Sequence, residues 1–140
     1  MELVEVNAAL GVALLALSAL RKSTPALVAG LFFMTNAALN ASVTIHETRV
    51  SDVVFMYMAA AISNIFMIIV AMARGDRSSV CMLMIIALAT CCFQNTVMFL
   101  DEYANEGIET LVWSISYEFR ASMDFVMVGL AIASLRSKGR

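Results

Sequence analysis

Hydrophobic positions along this chain fall into five long runs, about 3–20, 25–45, 53–73, 80–100 and 110–135, with short polar stretches between them. Each run is close to the 20 or so mostly apolar residues that a helix needs to cross the hydrocarbon core of a bilayer. The predicted architecture is all-α: a polytopic membrane protein, one domain over 1–140, with five transmembrane helices in a compact bundle joined by short loops.

The polar stretches carry the stop and start signals such a bundle needs. Ser23-Thr24-Pro25 reads as a turn in which Ser or Thr caps the next helix and Pro stands near its first position. His46, Glu47, Arg49 and Asp52 form the second connection, and Arg74-Gly75-Asp76-Arg77 is a tight turn before the fourth run. The Arg-Gly-Asp inside that turn is a three-residue match, and its placement on the inner face makes it coincidence. A weaker partition breaks the fifth run near Phe119. Ile108 to Phe119 would then lie along the interface, with Trp113 and Tyr117 as anchors, and Ala121 to Leu135 would cross alone. Fifteen residues rise only about 22 Å, so one long helix is expected.

Composition points the same way. Of the 140 residues, 61% are hydrophobic and only 14% charged, with one Pro and six Gly. A soluble domain usually carries about a quarter charged residues, so lipid is the expected solvent. The first run follows Glu2 and Glu5 and ends at Arg21-Lys22. That is the reverse of a cleaved secretory signal's charge order, so a retained span is expected.

Charge then orients the bundle. Lys and Arg collect on the cytoplasmic side of short loops. An outward amino terminus puts Arg21, Lys22, Arg74, Arg77, Arg136, Lys138 and Arg140 inside with Asp76. The other side receives Glu2, Glu5, Glu47, Asp52, Asp101, Glu102, Glu106 and Glu109 with Arg49. The expected location is a bacterial inner membrane or its equivalent, a phage-encoded chain included, with the amino end outside and the carboxyl end cytoplasmic.

Glu118, Arg120 and Asp124 lie within the fifth run. Charged side chains at the centre of a bilayer cost roughly 2.5–3.5 kcal/mol each on insertion scales, so they mark an interior, a partner or water. Asp124 lies about 20 Å along the helix from Leu111, near the midplane. Arg120, four residues earlier, shares its face, and a pair at that spacing is net neutral. Asn36, Asn64 and Thr90 reach a similar depth on other runs, with Asn40, Gln94 and Asn95 slightly outward. These residues are the predicted polar network, and Asp101, Glu102, Glu106 and Glu109 the predicted acidic outer mouth. The first run offers no member; its Ala9, Ala13 and Ala16 suggest a packing face or a lipid-facing place.

Other chemistries find little support in the sequence. Cys81, Cys91 and Cys92 lack metal-ligand spacing, and the eleven Met follow none either. The lone His46 has no HExxH context and no second axial ligand for haem. No phosphate-binding glycine loop or nucleic-acid face occurs, and the sequon Asn40-Ala41-Ser42 lies within a span. No enzyme activity, metal or cofactor is expected. Polar residues often do no more than hold membrane helices together. The primary expectation is a subunit of a larger membrane assembly, built with copies of itself or other membrane subunits through a polar face centred on Arg120 and Asp124. The alternative is an oligomeric ion or proton channel, or a holin-like pore, the latter by analogy of size and hydropathy alone.

Overall fold

The chain reverses direction where the sequence places its capping residues. The first helix, α1 (Leu3–Arg21), ends at Lys22, which takes the left-handed conformation at φ 51°. The Ser23 N–H then donates back to the Ser18 carbonyl at 3.2 Å, closing a Schellman turn that satisfies a helix-end carbonyl. Ser23 is also the next helix's starter. Its Oγ accepts the Ala26 N–H at 3.2 Å and caps α2 (Thr24–Ile45), with Pro25 in the first turn, where a missing N–H costs little.

The second described turn uses the same chemistry with different residues. After α3 (Val50–Ala73), Gly75 adopts φ 70° and its N–H donates to the Met72 carbonyl at 3.1 Å. Asp76 Oδ1 accepts the Ser78 N–H at 2.9 Å, and Ser78 Oγ accepts the Cys81 N–H at 3.2 Å to cap α4 (Ser79–Asn105). The fifth helix, α5 (Leu111–Lys138), runs unbroken through Phe119, so the interfacial partition is not adopted. The computed structural model describes residues 3–45, 50–105 and 111–138, and 94% of these are helical, with no strand among them. Helix α4 continues beyond its apolar run through Asp101 and Glu102, because hydropathy marks only the stretch that suits lipid while the backbone ladder carries on.

Packing between α1 and α2 depends on two glycines. Gly11 lies against Met34 and Gly30 against Leu15, the reversed order of an antiparallel pair. A Cβ on Gly30 would stand 2.8 Å from Leu15 Cγ and 3.0 Å from its backbone nitrogen, so the helices approach more closely than Ala would allow. The buried stripe of α1 is Asn7, Gly11, Leu14 and Ser18, while Ala9, Ala13 and Ala16 are exposed. The alanines are therefore its outward face.

The apolar core is concentrated at one end of the bundle. Val28, Phe33, Ala71, Met84, Leu88 and Met127 pack there with almost no exposure. The same end carries both described turns and the end of α5, brought together around a cleft lined by Lys22, Arg74, Asp76 and Ser134. It is termed the basic end below.

The exterior is as apolar as the interior. Phe125 is 80% exposed, Phe93 71% and Met72 66%, and exposed Ile or Leu accompany them on α1, α3, α4 and α5. A water-soluble monomer rarely shows apolar surface this extensive, whereas lipid accommodates it. Helices α1 to α4 are long and apolar enough to cross a membrane. At 28 residues, about 42 Å, α5 is also long enough, and only its polar residues set it apart. The chain is an integral membrane protein built as a five-helix bundle.

Candidate functional site

Away from the basic end the bundle opens around a cavity of about 330 Å³, to which all five helices contribute. The reason is visible in each helix's stripe. On α3, Tyr57, Ala60, Asn64 and Met67 follow helical spacing, placing one aromatic hydroxyl and one amide on the inner face. On α2 the inner positions are Asn36 and Asn40, on α4 Gln94 and Asn95, and on α5 Arg120 and Asp124. Small or apolar neighbours such as Ala60 and Cys91 leave the space that larger side chains would fill.

The structure brings most of the sequence-predicted residues to this one place. Asn36, Asn40, Asn64, Gln94, Asn95, Arg120 and Asp124 all line the cavity. Thr90 does not: it is exposed on α4, and its hydroxyl donates to the Ile86 carbonyl at 2.8 Å on its own helix. Glu118 is also exposed, turned away from the cavity, with its backbone carbonyl accepting the Ser122 hydroxyl at 3.0 Å. Asp101 and Glu102 occupy the last turns of α4 and do not reach the cavity wall; Glu102 is buried. Glu106 and Glu109 lie outside the described residues.

Two members of the wall lie outside the polar network expected from the sequence. Asn7 on α1 is 6% exposed and faces inward, so the first helix does contribute an amide. Tyr57 is 5% exposed, and the Arg120 guanidinium carbon stands 5.9 Å from its ring centroid. A cation over an aromatic face gains about 0.5–2 kcal/mol, more where water is sparse. Helical spacing could have found Tyr57, which precedes Asn64 by seven residues on the same face.

Electrostatically the wall is balanced. Arg120 supplies one positive charge and Asp124, one turn along the same helix, one negative. Both are half-buried, and neither lies on the lipid-facing side. Gln94 donates from Nε2 to Ser116 Oγ, tying α4 to α5 beside the charges. The amide of Asn64 is different. Its residue is 3% exposed and its Nδ2 is the one buried side-chain polar atom without a hydrogen-bond partner among the described residues. Leaving such a donor unmet costs about 1–3 kcal/mol.

Toward the basic end the cavity stops. Phe32 and Met67 belong both to its wall and to the packed core, with Met84 and Leu88 fully buried behind them. The space is a dead-ended chamber within the bundle. Among the described residues no three His, Cys, Asp or Glu side chains come together in a way that could hold a metal ion. Comparison of the chain with protein-family models, with curated proteins and with solved structures gives no match.

Proposed function

We propose that this chain is a non-enzymatic integral membrane protein whose own bundle houses a water-accessible site for a small polar solute or ion. One observation carries this: Arg120 and Asp124 line an internal cavity together with amides from α1, α2, α3 and α4. Charges retained inside a membrane protein commonly mark a substrate, ion or proton pathway, and here they face a space rather than a packed interface. The apolar floor of Phe32 and Met67 makes the chamber a binding site or a gated route rather than an open pore. The amino terminus is taken to lie outside, so the chamber is served from that side.

The test is chemical access. In a variant with Cys91→Ala and Cys92→Ala, Asn36→Cys should react with a small membrane-impermeant thiol reagent applied from the amino-terminal side. Native Cys81, packed in the core, should stay protected. Equal protection of both positions would sink this reading.

A second reading rests on a separate observation. Glu118 is exposed on α5 beside exposed Ser122, a costly arrangement against lipid and a natural one against another helix. It supports the chain's being a subunit of a larger membrane assembly, built with its own copies or other membrane subunits through this face. Loss of an oligomer in mild detergent after Glu118→Leu would favour it.

A further inference from the structure

We infer that the solute taken by the internal chamber is a small zwitterion, its anionic group held by Arg120 and its cationic group by Asp124. This rests on the reading of the chamber as a solute site and adds the class of solute.

Charge balance does the selecting. With Arg120 and Asp124 one helical turn apart on the same wall, a simple anion drawn to the guanidinium is opposed by the nearby carboxylate. A simple cation meets the reverse. A solute carrying both charges, laid antiparallel to the wall pair, satisfies each at once and brings no net charge into the bundle. A neutral solute leaves the two wall charges only each other.

Arg120 and Asp124 share the wall with amides from four helices, so polar groups flank both ends of a solute laid along the pair. An amide oxygen of the wall can receive a hydrogen of an ammonium group beside Asp124. The Tyr57 ring, 5.9 Å from the Arg120 guanidinium carbon, gives that cation an aromatic face to rest against. The cavity of about 330 Å³ lies in the range of small-molecule sites and has room for a molecule of amino-acid size.

The experiment uses three probes of one carbon skeleton on the purified full chain in mild detergent: γ-aminobutyrate, butyrate and butylammonium, followed by titration calorimetry. γ-Aminobutyrate should bind saturably and at least tenfold more tightly than either single-charge probe. Arg120→Gln should remove at least tenfold of that affinity while leaving butylammonium as good or better. Asp124→Asn should do the same with butyrate spared. Binding of butylammonium by Arg120→Gln and of butyrate by Asp124→Asn is the folding control, since neither survives loss of the chamber. Equal binding of butyrate and γ-aminobutyrate, tighter γ-aminobutyrate binding by Asp124→Asn, or no binding of any probe would overturn the inference. If no probe binds while the thiol at position 36 still labels, the zwitterion falls and the accessible chamber stands. If the thiol is protected, the chamber reading falls with it.

Discussion

Ser23 and Ser134, far apart in sequence, share a buried hydrogen bond of 2.7 Å between their hydroxyl oxygens. The bond fastens the α1–α2 turn to the last turns of α5, and Ser23 is at the same time the cap of α2. The two positions should therefore differ in cost. Ser23→Ala removes a cap and leaves the Ser134 hydroxyl stranded, for about 2 kcal/mol in total. Ser134→Ala leaves Ser23 with its Ala26 partner and should cost about 1 kcal/mol or less. Unfolding of the two single variants and the double variant in mixed detergent micelles checks the order; equal losses would mean the cap contributes nothing.

Three glycines should respond to alanine in opposite senses. At Gly11 and Gly30 a new Cβ would meet Met34 and Leu15 within 2.7–3.0 Å, backbone nitrogen included, so overpacking should cost about 1–3 kcal/mol each. At Gly129 nothing lies within 4 Å and the backbone is helical, so alanine should stabilise by up to about 1 kcal/mol through helix propensity. Melting in mild detergent reads all three. A loss at Gly129 matching that at Gly30 would place a neighbour against the exposed face of α5.

These contrasts show where the sequence was informative. Apolar runs marked every helix to within a few residues, since bilayer thickness sets their length, and Ser23 and Pro25 announced the first turn. The inner faces were harder. Asn36, Asn40 and Asn64 were legible because amides are rare in spans, whereas Asn7 near the start of α1 and Tyr57 on an aromatic-rich helix looked ordinary. Thr90 had the right depth and the wrong azimuth. Depth follows from counting residues; azimuth depends on which neighbours a helix meets, and that is a tertiary fact.

Tyr57 offers a direct check on the Arg120 placement. Tyr57→Phe keeps the ring beneath the guanidinium but removes the hydroxyl that hydrogen-bonds it and should cost about 1–2 kcal/mol, whereas Tyr57→Leu removes the π face as well and should cost about 1–2 kcal/mol more. In an Arg120→Gln background that difference should shrink to the ring's packing alone. If Phe and Leu remain as far apart without the guanidinium, the contact is not electrostatic.

Arg120 and Asp124 allow the sharpest comparison, because neutralising one charge strands the other inside the bundle. Arg120→Gln or Asp124→Asn alone should each destabilise by about 1–3 kcal/mol, less than for a fully buried pair because both groups are only half-buried. The double variant should recover much of the loss, since the wall then holds only amides. Exchanging the charges, Arg120→Asp with Asp124→Arg, keeps the pair neutral yet sets a carboxylate at position 120 on the side of the Tyr57 ring, whose negative face repels it. Stability should thus rise in the order exchange, double neutralisation, wild type. Full recovery by exchange would mean that the two charges answer only to each other, and that the aromatic platform on α3 has no part in fixing where Arg120 lies.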